Sequence, residues 1–204
     1  MGGLGSQRGI ATKNWILASA SPRRTDLLRA AGQCFEPMAS GVDETPQPGE
    51  RALDFALRIA RDKAREISRR RPAHWVLAAD TIVVVDGESL GKPRDAADAA
   101  TILERLSGRR HEVATAFVLV DDRGEAFVEQ VVRTDVVFRP LEKSEIAAYV
   151  SSGEPFDKAG AYAIQGGAAQ FVIALHGSRS NVIGLPMDEV ESALRSAGLW
   201  IGSR

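Results

Sequence analysis

The run WVLAADTIVVV, residues 75–85, constrains this chain more than any other stretch. Ten of its positions suit a strand that is apolar on both faces, the pattern of a central strand covered on either side. One position does not. Asp80 sits in the middle, where an unpaired carboxylate would cost several kcal/mol even after relaxation, so it requires a partner. Two readings are open: a buried structural ion pair or bulge at the strand end, or a carboxylate that binds metal or takes a proton. Thr81 faces the other side of the strand and reads as a β-branched filler.

The rest of the chain follows an α/β order. WILAS, 15–19, reads as a buried strand, and the Ser-Pro pair at 21–22 opens a helix over 22–32 that stops at Gly32. Ser21 is expected to cap it by accepting a backbone N–H. CFEPMA reads as a second extended piece, followed by the acidic, Pro-rich loop GVDETPQPGE and an amphipathic helix from Glu50 to about Arg71, ended by Pro72. DGESLGKP reads as a turn, and a helix near 96–107 follows with Asp95 as its cap and Gly108 as its stop. Strands over 110–120 and 125–138, joined at DDRG, suit a hairpin. A helix near 142–150, the irregular GEPFDKAGAYAIQGGA, a strand near 170–175 and a helix near 186–197 complete the order. Neither a repeat nor a long linker divides it.

Length and charge bound the function. At 204 residues the chain suits one domain or two closely packed lobes, taken here as a disordered tail over 1–13 and a single domain over 14–204. A net charge of −1 argues against polymeric nucleic acid and anionic membranes as partners, so any anion site must be local. The leader MGGLGSQRGIATK lacks the apolar core of a signal peptide, and no run is long enough to span a bilayer. Gly2 and Ser6 match the loose myristoylation pattern, which a Gly-rich leader meets by chance. A single cysteine, Cys34, excludes an internal disulfide and suits the reducing cytoplasm.

Several charges stand where packing alone would not put them. Arg23 and Arg24 lie in the first turn of the Ser-Pro helix, where the macrodipole disfavours cations by roughly 0.3 to 1 kcal/mol each. On a helical wheel Lys63 falls inside the apolar arc formed by Leu53, Ala56, Leu57, Ile59, Ala60, Ala64 and Ile67. It is either a snorkelling side chain or an inward-pointing anion ligand. Lys92 follows the Asp80 strand, at the kind of strand end where α/β proteins collect ligands, although taken alone it reads as a surface charge. Glu44, beside Asp43, could supply oxygen to a hard cation or simply belong to an acidic loop. His74, His111 and His176 show no metal-ligand spacing, and neither a P-loop nor G-x-S-x-G is present. Together these residues suit a polyphosphate with a divalent cation, its oxygens held by guanidinium forks and helix N–H groups.

The ordered blocks LASASPRRTDLL, RIARDKA, AADTIVVVDGESLGKPRDAADAATILERLSGRRHEVATA, EPFDKAGAYAIQG and SNVIGLP, spread from Ile16 to about Leu194, resemble the Maf family of nucleoside triphosphate pyrophosphatases, also called septum formation proteins. The resemblance implies an α/β fold like that of inosine triphosphate pyrophosphatases, with a curved mixed sheet and a cleft between two lobes, and a homodimer. It implies hydrolysis of a nucleoside triphosphate between the α- and β-phosphates with a divalent metal, Mg²⁺ or Mn²⁺. By the same resemblance Asp80 is the base for the attacking water, Glu44 joins it as a metal partner, and Ser19, Arg23, Arg24, Lys63 and Lys92 hold the triphosphate. DKAGAYAIQG resembles the branch acting on dTTP and UTP, in which Arg23, Thr81 and Gln165 are tied to substrate choice. The amide of Gln165 can donate and accept at once, as the imide edge of uracil or thymine requires. Ala163 departs from a usual Gly of that branch, and Arg179 from a common aromatic. Two alternatives remain at this point: the same chemistry on another nucleotide such as 7-methyl-GTP, and a nucleotide-binding regulator of cell division.

Overall fold

Alternation along the central strand decides how the layers assemble. The computed structural model describes residues 14–202, so the tail and its acylation pattern lie outside the described residues. In chain order the strands are β1 (Trp15–Ala18), β2 (Glu36–Pro37), β3 (Trp75–Val85), β4 (Glu88–Leu90), β5 (Arg110–Val120), β6 (Ala126–Phe138) and β7 (Val172–His176). The helices are α1 (Pro22–Ala30), α2 (Ala52–Arg70), α3 (Ala96–Leu106), α4 (Lys143–Ser151), α5 (Arg179–Ile183) and α6 (Met187–Ser196). One mixed sheet of seven strands runs β2-β1-β3-β5-β6-β7, with β4 paired to the end of β3.

On β3, Val76, Ala78 and Ile82 face α2 and pack with Ala56, Ala60, Ala64 and Ile67. Leu77 and Ala79 face the other way, onto Leu28 of α1 and Val190 and Leu194 of α6. This is the two-sided burial that a run without polar alternation demands. A third cluster closes the far end, where Leu103, Leu106, Ile146 and Phe171 surround Val83 and Phe138.

The edge of β3 is interrupted where the odd residue lies. Strand β1 runs parallel to β3 only as far as Ala18 opposite Ala78, and β4 resumes pairing on β3 at Val83. Residues 79–82 therefore have β5 on one side, with Asp80 opposite Ala116, and no strand on the other.

Several local expectations need correction. CFEPMA yields only the two-residue β2, because Pro37 cannot continue a ladder as a donor. The supposed turn DGESLGKP contains β4: Asp86 and Gly87 both take positive φ, 54° and 80°, and make a tight hairpin in which Val85 faces Glu88. Ser21 has the backbone of a cap, yet its hydroxyl accepts no helix N–H, and its own N–H donates to Ser19 Oγ at 3.1 Å. Helix α5 is new; Ser178 caps it by accepting from the Asn181 N–H. Asp95 does cap α3, accepting from the Asp98 N–H at 2.8 Å.

His111 on β5 is buried in an aromatic cluster with Phe138 and Tyr162, and its Nε2 lies 2.8 Å from the Tyr162 hydroxyl. Burial outweighs the opposing pull of the Arg109 backbone and of Asp135 and pushes the imidazole down to about 4. Between about pH 6.5 and 4 the unfolded chain binds a proton that the folded one refuses, so stability must fall as pH drops through that window. The loss should be roughly 1 kcal/mol per pH unit. Thermal melts of wild type and His111→Gln should diverge in slope there, with the variant flatter; parallel profiles would show that His111 is not held neutral.

Candidate active site

Asp80 projects toward α2, and the apolar arc of that helix brings Lys63 to it. Lys63 Nζ donates to Asp80 Oδ1 at 2.8 Å and to Glu44 Oε1 at 2.7 Å, with Lys63 only 7% and Asp80 only 8% exposed. Lys63 thus points inward and does not snorkel. Its stem packs with the arc while its ammonium joins a strand carboxylate to a loop carboxylate. Partial burial pushes the Glu44 carboxyl up, but the hydrogen bond and charge of Lys63, with Lys92 and Arg24 beyond, outweigh it and hold Glu44 below the usual range. Lys92 reaches the same carboxylate from the other side at 3.9 Å, its side chain 60% exposed.

Thr81, on the opposite face of β3, meets the start of α1. Arg24 is buried and donates through Nε to the Gly184 carbonyl at 2.7 Å, through one terminal nitrogen to Ser19 Oγ at 3.3 Å, and through the other to Thr81 Oγ1 at 3.0 Å. Burial pushes its guanidinium down, against the pull of Asp80. Three of its five N–H groups are therefore committed to the protein, which leaves two for a ligand. Thr81 is no filler either. Its hydroxyl lies 2.9 Å from Thr115 Oγ1, which donates to the Asn181 carbonyl at 3.0 Å, and Asn181 in turn donates to Val113 and Thr134. Sequence reasoning missed Thr115 and Asn181; a Thr facing a Thr across two central strands was the available signal.

Arg23 is a third of the way into solvent and pairs with Asp157 at 3.5 Å. Asp157 belongs to a chain of short 3₁₀ turns, Glu154–Asp157, Ala159–Ala161 and Gly167–Phe171, into which the irregular glycine-rich stretch resolves. That stretch forms the wall facing α1 and carries Lys158 and Gln165.

All nine residues singled out from the sequence, Ser19, Arg23, Arg24, Glu44, Lys63, Asp80, Thr81, Lys92 and Gln165, line one cavity of about 750 Å³. Asp43, Asp157 and Lys158 line it too, so five cations face four carboxylates. It opens at the gap in the β3 edge, beyond the carboxyl end of β1, which is where parallel strands in α/β folds present ligand sites. Its size suits a small molecule, its cations suit a polyanion, and its paired carboxylates suit a hard cation or a proton acceptor.

The Maf-like protein family matches residues 14–197. The dTTP/UTP pyrophosphatase of Geotalea uraniireducens (strain Rf4) is 51% identical over 188 residues, 92% of this chain and 97% of that protein. The dTTP/UTP pyrophosphatase of Geobacter sulfurreducens is 52% identical over 183 residues, 90% of this chain and 96% of its own length. That of Myxococcus xanthus (strain DK1622) is 50% identical over 184 residues, 90% and 92% of the two chains. In fold, the chain is similar to a HAM1 protein from Coxiella burnetii, with a TM-score of 0.50 at 15% identity, over 90% of this chain and 99% of that one. With the family matched from just before β1 to just past α6, and relatives near half identical along almost their whole length, this chain belongs to the Maf family.

Proposed function

We propose that this protein is a dTTP/UTP pyrophosphatase, cleaving the triphosphate between its α- and β-phosphates to give the monophosphate and pyrophosphate. The observation that carries the reading is the Glu44–Lys63–Asp80 array inside a cation-lined cavity, and the names of the relatives support the substrate.

Asp80 is the base. Lys63 occupies Oδ1 and fixes the carboxylate, while Oδ2 has no hydrogen bond from the described residues and can take a proton from water. The deprotonated oxygen attacks the α-phosphorus, its bond forms as the bridge to the β-phosphate breaks, and pyrophosphate leaves. Arg23, Lys63 and Lys92, with the Ser19 hydroxyl, hold the triphosphate. Arg24 closes the wall behind them and adds its field, and Thr81 and Gln165 face the base. The amide of Gln165 is suited to an imide edge, which needs a donor and an acceptor side by side.

A divalent cation, Mg²⁺ or Mn²⁺, fits the donor set. Among the described residues no group of three or more His, Cys, Asp or Glu could hold a metal. Two carboxylates converging on one ammonium are nevertheless the kind of partial oxygen site that Mg²⁺ completes with waters and substrate phosphates. Glu44 and Asp80 would hold it, and its chemistry would be charge neutralisation on the phosphates. We further propose a homodimer in the cytoplasm. Among the described residues the edge strand β7 ends the sheet with an unpaired row of backbone groups, which favours a covering partner.

Purified protein should release pyrophosphate and monophosphate from dTTP and UTP with Mg²⁺ or Mn²⁺, faster than from 7-methyl-GTP. Silence across a nucleotide panel would overturn the assignment, and undiminished release in excess EDTA would remove the cation. Asp80→Asn should lower kcat by about 10² to 10⁴ while triphosphate binding, read by calorimetry, survives. Retained turnover would strip Asp80 of its role as base.

A further inference from the structure

Gln165 stands near the apex of a turn whose two ends are held by a phenol and a carboxylate that neither line the cavity nor take part in the steps above. The Ala163 N–H donates to the Tyr149 hydroxyl at 3.3 Å. That hydroxyl donates to Glu154 Oε1 at 2.9 Å, and the other oxygen of Glu154 accepts the Gly167 N–H at 2.9 Å. Between the two anchors the turn closes on itself, with the Gly166 N–H donating to the Ala163 carbonyl at 3.1 Å. One bridge therefore spans residues 163–167, with Gln165 exposed between its anchors and lining the cavity.

The steric record of the turn says the same. A Cβ placed on Gly166 would fall 1.9 Å from Glu154 Oε1 and 2.6 Å from Oε2, so the carboxylate sits where any other side chain would begin. Lys158 Nζ donates to the Glu154 carbonyl at 2.6 Å and ties the base of the bridge to the cavity wall. Tyr149 itself is anchored by its ring, edge-on to Phe171 at 5.4 Å. Burial, with Glu154 adding to it, pushes the Tyr149 hydroxyl up, so it stays a proton donor throughout the neutral range.

An amide that reads an imide edge must present its carbonyl and NH₂ in a fixed order, and an exposed glutamine on a free turn would lose that order to rotation. We propose that Tyr149 and Glu154 are positioning residues that fix the 163–167 turn and, through it, the register in which Gln165 meets the pyrimidine base. This rests on the function proposed above. It also accounts for Ala163: what the turn needs there is the backbone N–H, which alanine supplies as well as glycine.

The test compares kcat/KM for dTTP and dCTP in wild type, Tyr149→Phe, Glu154→Gln, Gly166→Ala, Gln165→Ala and the doubles carrying Gln165→Ala, each checked for folding by thermal melt. Each of the first three variants should lower the preference for dTTP over dCTP about tenfold, and Gln165→Ala should do the same. Adding it to Tyr149→Phe or Glu154→Gln should cost no more discrimination, because all act through one amide. Unchanged preference in folded variants, losses that multiply in the doubles, or a wild type indifferent between dTTP and dCTP would overturn the inference. Amide hydrogen exchange supplies a second arm that does not need turnover. Exchange at Ala163 and Gly167 should quicken at least about tenfold in Tyr149→Phe and Glu154→Gln, and unaltered exchange would refute the anchoring. A wild type that hydrolyses no nucleotide would sink the functional reading by itself, leaving this arm to decide the positioning.

Discussion

Lys63 holds two carboxylates at once, and the cavity depends on that contact. Asp80 alone on a central strand would be an uncompensated buried charge, and Lys63 alone on an apolar helix face would be another. Together they satisfy each other at 2.8 Å, and Glu44 brings a loop onto the same ammonium at 2.7 Å. Removing one member of such a buried pair typically costs about 3 to 5 kcal/mol, far more than the surface ion pairs elsewhere on α2, such as Arg61 with Glu129. A helix, a strand and an acidic loop are thus fastened at one point, and that point faces the cavity. The structural role and the proposed chemical one coincide in the same three side chains.

Much of this was legible in the sequence because the misfit of a charge with its surroundings is a local signal. Asp80 in an apolar strand and Lys63 in an apolar arc are visible without coordinates, and each demands a partner. That they are partners of each other is not visible, since 17 residues of chain and a turn at Pro72 separate them. The long helices and the β5–β6 hairpin were readable by periodicity and turn residues. The Asp-Gly pair at 86–87 carries the usual hairpin cue, yet β4 is only three residues long, too short to show the alternation that marks a strand. The 3₁₀ segments had no periodicity to show, being glycine-rich and held by side chains rather than by a ladder.

What no local pattern reveals is the break in the β3 edge. It arises because β1 stops at Ala18 while β4 starts at Val83, two facts about different parts of the chain. Asp80 and Thr81 lie in that gap and face opposite ways, one toward α2 and Lys63, the other toward α1 and Arg24. A single strand therefore supplies two walls. The role of Arg24 follows from this: it bridges Ser19, Thr81 and Gly184, and so joins the loop after β1, the strand and the end of α5.

The Arg23–Asp157 contact joins the two rims of the opening, and it is exposed enough to hold them only weakly. On the function proposed above, an arriving phosphate would compete with Asp157 for the guanidinium, so the cation would pass from one anion to another without being stripped bare between them. Asp157 is left with Lys158 for company. Entry would then resemble an ion exchange at a doorway, with the traffic set by the ionic strength of the surrounding solution as much as by the shape of the guest.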